Sequence, residues 1–223
     1  MTTNTTKSAP AASAKDNQLT SKTSETQGHA IWLSSAKHVA ETTKKGTLSG
    51  FRKMREALMA KKFESHDNVP VAVDAVSGLY IGSYGAANNY EALTGTGITH
   101  ILCVSASLPL NSRFPHTFTY MQLKVADLSS VKISTFFDEA FSFIDSALSS
   151  GGKVLVHCVM GRSRSATIVV AYLIARQGLT LSLALRELRR NRPQAQPNSG
   201  FYQELVSFEA KLKKLREEVV EPL

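Results

Sequence analysis

Residues 153–176 leave this chain few folds to choose from. Lys153-Val154-Leu155-Val156-His157 is a short apolar run suited to a buried strand. After a polar loop, the residues from about Ser165 to Arg176 are apolar enough and long enough for a helix. A strand feeding a helix through a short loop is half of a β–α unit, and such units build parallel sheets.

The flanking sequence repeats the alternation. Leu79-Tyr80-Ile81, Ile98–Val104 and Thr117–Val125 read as strands, and Ala86–Leu93 as a helix. Phe136, Phe137, Ala140, Phe141, Ile144 and Leu148 fall on one face of another helix, which Gly151-Gly152 ends. A helix follows Thr180, an N-cap residue type, and the last runs from about Asn198 to Lys214. Pro193 and Pro197 separate these two. The expected fold is α/β, a central, mostly parallel sheet flanked by helices.

Charge divides the chain unevenly. Residues 1–63 hold eleven Lys and Arg against four Asp and Glu, a net +7, and residues 64–223 hold fifteen against fourteen, a net +1. A basic nucleic-acid-binding domain would carry its charge on the folded part, so no nucleic acid is expected as a partner. Residues 1–48 are rich in Thr, Ser, Ala and Lys and are expected to be a disordered tail. Organellar transit peptides share that acid-poor composition, so this alternative stays open beside a cytoplasmic or nuclear location. The longest apolar run, Ile168–Ala175, is too short to span a bilayer, and no membrane is expected as a partner. Residues 49–65 read as a basic helical segment with Phe51, Met54 and Leu58 on one face, a pattern that suits a calmodulin-like or acidic docking partner at 51–63. Residues 66–215 are the expected catalytic domain and 216–223 a C-terminal tail. Two cysteines are too few for a disulfide framework or a thiolate zinc site, so no metal is expected.

The chemistry concentrates in His157-Cys158-Val159-Met160-Gly161-Arg162-Ser163-Arg164-Ser165. Ligands bind at the carboxyl ends of strands in such sheets, and a loop entering a helix N-terminus collects free N–H groups in a field that favours anions. Gly161 permits a close or left-handed backbone at mid-loop. A cysteine there has a physical reason to be a thiolate. Five residues on, Arg164 offers a planar grip on two phosphate oxygens. Cys158 is therefore the candidate nucleophile, and Val159, Met160, Gly161, Arg162, Ser163 and Arg164 line the candidate phosphate site. Arg162 also reads as a solvated rim charge. Ser165 can donate to the sulfur as it leaves, and His157 orients the loop and supports the thiolate without transferring a proton. Asp127 stands just past the 117–125 strand, where a general acid is needed; Asp138 and Asp145, inside the next helix, are expected to be solvated.

His157-Cys158-x5-Arg164-Ser165 resembles the signature of the protein tyrosine phosphatases. With Met160-Gly161 and Ser163-Arg164-Ser165 it is similar to the dual-specificity branch, notably its small atypical, plant and MAP-kinase-phosphatase members. The resemblance covers about residues 66–212 and includes Gly78–Gly82, Gly97–Leu102, Ala171-Tyr172-Leu173, Arg192-Pro193 and Pro197–Phe201. It implies a tyrosine-phosphatase-like fold, a shallow site open to phosphoserine, phosphothreonine and phosphotyrosine, no metal or organic cofactor, and Asn198 bracing the phosphate loop. It points to phosphorylated proteins, MAP kinases among them, as substrates. The acid loop is Val125-Ala126-Asp127 in place of the Trp-Pro-Asp of the larger tyrosine-specific enzymes, and the phosphate loop lacks the lysines of lipid phosphatases. Cys103 stands where the family often has Asn. Some relatives use a cysteine in this region as a reversible disulfide partner for the nucleophile, so Cys103 is a candidate redox partner of Cys158; otherwise it is a small buried hydrophobe. Two rival readings stay open, a phosphate-recognising kinase anchor with little turnover and a phosphatase of a phosphoinositide.

Overall fold

The computed structural model describes residues 67–108 and 114–220, with Gly50, Met54 and Leu58 as separate positions ahead of them. The chain divides into two units, Met1–Arg52 and Lys53–Leu223. Gly50 is helical and exposed; all else described belongs to the second unit. The expected tail at 1–48 lies outside the described residues. So does the expected basic segment, apart from Gly50, Met54 and Leu58, which are helical and exposed.

Five strands form one sheet: β1 (Val71–Ala72), β2 (Leu79–Gly82), β3 (His100–Val104), β4 (Thr119–Leu123) and β5 (Val154–His157), in the order β1-β2-β5-β3-β4. Only the edge pair β1–β2 is antiparallel. The register pairs Gly82 with His157, Cys103 with His157 and Val104 with Leu123. The carboxyl ends of four parallel strands therefore finish level, and their outgoing loops emerge along one edge.

Alternation along the strands divides the side chains between two cores. Leu79, Ile81, Leu102, Val104, Val154 and Val156 face the larger one, shared with α3 (Phe137–Ser149), α4 (Arg164–Gln177), α5 (Leu181–Asn191) and α6 (Ser199–Val220). Ile101 and Leu155 face the smaller one, with Leu93, Ile98 and Phe118. On α3, Phe137, Ala140, Phe141, Ile144 and Ala147 are buried, and Phe137 stacks on Phe141. Truncating either ring to Ala would cost about 3–5 kcal/mol.

Several boundaries differ from the sequence expectation. The helix expected at 86–93 is two, α1 (Tyr84–Asn88) and α2 (Tyr90–Thr96). Asn89 takes an extended conformation and its side chain accepts from Ala92 N–H, starting a new helix where periodicity suggested one continuous one. The tail expected at 216–223 is largely helix, because α6 runs on to Val220 and Arg216 donates back to the carbonyl of Ile174 (3.0 Å) at the end of α4. Asp145 is not simply solvated. It accepts from Tyr172 Oη (2.7 Å) and Arg176 Nε (2.9 Å), tying α3 to α4. Burial opposes its charge, but Arg176 and Tyr172 together hold its carboxyl below the usual range. Asp138 is exposed, as expected.

Candidate active site

Cys158 follows directly on β5, and the loop 158–163 closes into α4 at Arg164. Each carbonyl from Val159 to Ser163 accepts a hydrogen bond from outside the loop. Val159 O takes Tyr84 N–H (3.1 Å), Met160 O takes Arg192 Nη2 (3.1 Å) and Gly161 O takes Arg192 Nε (3.0 Å). Arg162 O takes Gln196 N–H (2.7 Å), and Ser163 O takes Thr167 N–H and Oγ1 (2.8 Å each). A planar trans peptide points its N–H opposite its carbonyl. With the carbonyls engaged outside the loop, each N–H that follows points the opposite way. Gly161 N–H donates to Cys158 Sγ at 3.2 Å. Gly161 has φ of 62°, and a Cβ there would meet Arg192 Nη2 and lie 2.5 Å from Gly82 O, so no other residue fits without shifting the loop.

The sulfur sits at the floor of this loop, 1% exposed. Burial alone would raise its pKa. The charge of Arg164 and hydrogen bonds from the hydroxyl and backbone of Ser165 outweigh burial and an opposing push from Asp127, leaving the thiol below its ordinary value. Ser165 Oγ lies 3.3 Å from Sγ. His157 is buried and its pKa is lowered to about 4, chiefly by burial, so at neutral pH the ring is uncharged. It supports the loop through Nδ1, 3.3 Å from Cys158 O, and adds no positive charge to the thiolate.

Arg164 is 3% exposed. Its Nη1 donates to Ser105 Oγ (3.0 Å) and, at 3.4 Å, to Val125 O. Its Nε lies 3.5 Å from Asp127 Oδ2 but has no hydrogen-bond partner, which leaves a buried charged donor without a hydrogen bond. Asp127 Oδ1 accepts from Ser163 Oγ (2.8 Å) and Asn198 Nδ2 (2.8 Å). The structure thus brings Asp127, Arg164, Ser165 and Cys158 together. Asn198, expected to brace the phosphate loop, meets it through its backbone N–H at Ser163 Oγ (3.2 Å), while its side chain holds Asp127 and its Oδ1 caps α6 at Phe201 N–H (3.0 Å). Arg162 donates to Gln194 O (3.3 Å) and Gln196 Oε1 (2.8 Å) at the rim, beside a cleft of about 360 Å³ that Asp127, Met160 and Asn198 also line. A larger cavity of about 940 Å³, lined by Ile174, Leu179, Val206 and Arg216, lies at the other end of α4 and contains none of these groups.

Cys103 is buried with Leu108, Val159, Tyr84 and Met160. Burial first, then the negative charge of Cys158, push its thiol up to about 12. The roles of three participants escaped the sequence reading. Ser105, fully buried just past β3, anchors Arg164; a small polar residue at the carboxyl end of a parallel strand was its one signal. Arg192 and Asp67 are the others, and nothing in the sequence brought them together.

The family profile described as dual specificity phosphatase, catalytic domain, matches residues 79–211. The chain is 45% identical over 143 residues to dual specificity protein phosphatase 1 of Arabidopsis thaliana, covering 64% of this chain and 70% of that one. It is 41% identical over 140 residues to a Dictyostelium discoideum protein named MAP kinase phosphatase with leucine-rich repeats protein 3, covering 62% of this chain and 16% of that longer one. The crystal structure of DUSP15 superposes with a TM-score of 0.61 at 36% identity, over 70% of this chain and 97% of that one.

Proposed function

Since this chain belongs to the dual specificity phosphatase family and is a protein-serine/threonine and protein-tyrosine phosphatase, we propose how its residues divide the reaction. Cys158 thiolate attacks phosphorus in line, and the S–P bond forms as the ester P–O bond breaks. Asp127 gives its proton to the departing oxygen. The inward N–H groups and Arg164 stabilise the equatorial oxygens. Water then attacks phosphorus, Asp127 takes its proton, and the S–P bond breaks to return the thiolate, with Ser165 donating to the sulfur. The observation that carries this assignment is a buried, pKa-lowered sulfur under a loop whose carbonyls are all held outward.

We infer further that the catalytic domain begins near residue 66, because Asp67 and β1 precede the matched residues yet bond to Arg192 and β2. The Dictyostelium relative's name supports MAP kinases as substrates. Arg52, Lys53, Arg55, Lys61 and Lys62 would dock on an acidic groove of such a kinase.

The test is phosphate release from a doubly phosphorylated Thr-x-Tyr peptide, with chelator present, by the wild-type chain and Cys158→Ser. Wild type should release phosphate from both residues and Cys158→Ser from neither. A wild type inert on this peptide and on a generic aryl phosphate would refute the assignment.

A further inference from the structure

Arg192 is 1% exposed, and it is the bulkiest of the fully buried side chains. A buried charge is tolerated only when its donors are met. Here the guanidinium forms a fork with Asp67, Nη1 to Oδ1 at 2.9 Å and Nη2 to Oδ2 at 2.6 Å. Two further donors go to the catalytic loop, Nη2 to Met160 O and Nε to Gly161 O. Asp67 is itself pinned, since its carbonyl accepts from Ser83 Oγ (2.5 Å), the N-cap of α1. Next to it, Asn68 O accepts from Asn89 Nδ2 (3.0 Å).

We propose that Arg192 and Asp67 are a positioning pair for dephosphorylation: by holding the Met160 and Gly161 carbonyls outward they aim the N–H groups that bind the phosphate and the thiolate. The inference rests on the assignment of Cys158 and its loop given above. Planarity makes the link direct. Release of Met160 O frees the peptide that carries Gly161 N–H, the group donating to Cys158 Sγ. Release of Gly161 O frees the next N–H. Gly161 is the weakest point of the loop, because its left-handed backbone has no Cβ to restrict it. A guanidinium suits the task better than an ammonium, since one rigid plane must meet two carbonyls and a carboxylate together.

The experiment compares wild type, Arg192→Lys, Arg192→Met and Asp67→Asn in the full chain, below the melting temperature of each. Three quantities are read: kcat/KM on an aryl phosphate, competitive inhibition by vanadate, and the pH dependence of Cys158 alkylation by iodoacetate. Losing a charged donor to two buried acceptors should lower kcat/KM and weaken vanadate inhibition together, by at least about tenfold in Arg192→Met. The alkylation profile should move to higher pH, because the thiolate loses the Gly161 N–H. Lys should not rescue, and Asp67→Asn, which keeps an acceptor but loses the fork, should fall between. Folded variants with wild-type vanadate inhibition and alkylation profiles, whatever their melting temperatures, would overturn the proposal. If Arg192→Met does not fold, Asp67→Asn decides by the same readouts. Alkylation does not need turnover, so a wild type inert on aryl phosphate would count against the assignment of Cys158 while the alkylation profile still tests the pair.

Discussion

Asp127 occupies a position where two demands meet. Its Oδ1 is held by Ser163 and Asn198, and its Oδ2 stands 3.5 Å from Arg164 Nε. A proton donor for the leaving oxygen matters most when that oxygen is a poor leaving group. Asp127→Asn keeps an oxygen for Ser163 and Asn198 but cannot give up a proton in this way. It should therefore lower kcat on alkyl phosphates such as phosphoserine by about 10²-fold or more, and lower it far less on aryl phosphates with acidic phenols. The check is a plot of log kcat/KM against leaving-group pKa, which should steepen. An equal loss on all substrates would mean that Asp127 acts by holding Arg164 and Asn198. Cys158, Arg164 and Ser165 were legible in the sequence because they are contiguous, and Asp127 because it follows a strand end. Arg192 and Asp67 were not: they lie 125 residues apart, and their carbonyl acceptors exist only once the loop is folded.

At the scale of elements, the apolar pattern located the four parallel strands, α3 and α4, because burial writes itself into the pattern, while the Thr180 cap and the prolines marked off α5 and α6. It missed the break at Asn89, where one side-chain hydrogen bond decides the backbone. It missed the full length of α6, whose residues 213–218 are exposed and carry a weak apolar signal. It left Gly200 without a reason; a Cβ there would collide with Ser129 O, so Gly200 lets α6 press against the segment after Asp127. The register of β3 against β5 also bears on Cys103. It pairs with His157, one residue before the nucleophile. We propose that Cys158 thiolate attacks peroxide, breaking its O–O bond to give the sulfenic acid and hydroxide, and that Cys103 sulfur then displaces the sulfenic hydroxyl to form the disulfide, the hydroxyl leaving with the Cys103 proton as water. Burial keeps the Cys103 thiol protonated, but the share of its shift due to the Cys158 charge vanishes when Cys158 becomes the neutral sulfenic acid. Non-reducing peptide mapping after peroxide should find the Cys103–Cys158 link, and reductant should restore activity that Cys103→Ala loses irreversibly. Over-oxidised Cys158 with no link to Cys103 would refute it.

For the molecule as a whole, the near-neutral balance of residues 64–223 removes net repulsion as a cause of acid instability near neutrality and puts weight on individual groups. His157 is the one the structure singles out. It is uncharged in the folded state because burial lowers its pKa from 6.5 to about 4. Between those values the unfolded chain binds a proton that the folded chain refuses, so acid favours unfolding. The contribution is whole above about pH 6.5, falls with pH, and is gone below about pH 4, a loss of roughly 3 kcal/mol. In a domain of this size that corresponds to a fall in Tm of about 5–12 °C. Carboxylates add their own acid dependence, so the measurement must isolate the ring. His157→Gln removes the titration and leaves the carboxylates in place. Tm followed from pH 7 to pH 4.5 should fall more steeply in wild type than in His157→Gln, so the wild-type Tm less the variant Tm decreases as pH falls, whatever its value at pH 7. Parallel curves would mean that the imidazole titrates alike in the folded and unfolded chain, and a shallower fall in wild type would mean that it is held protonated within the fold, where it would support the Cys158 thiolate beside Arg164.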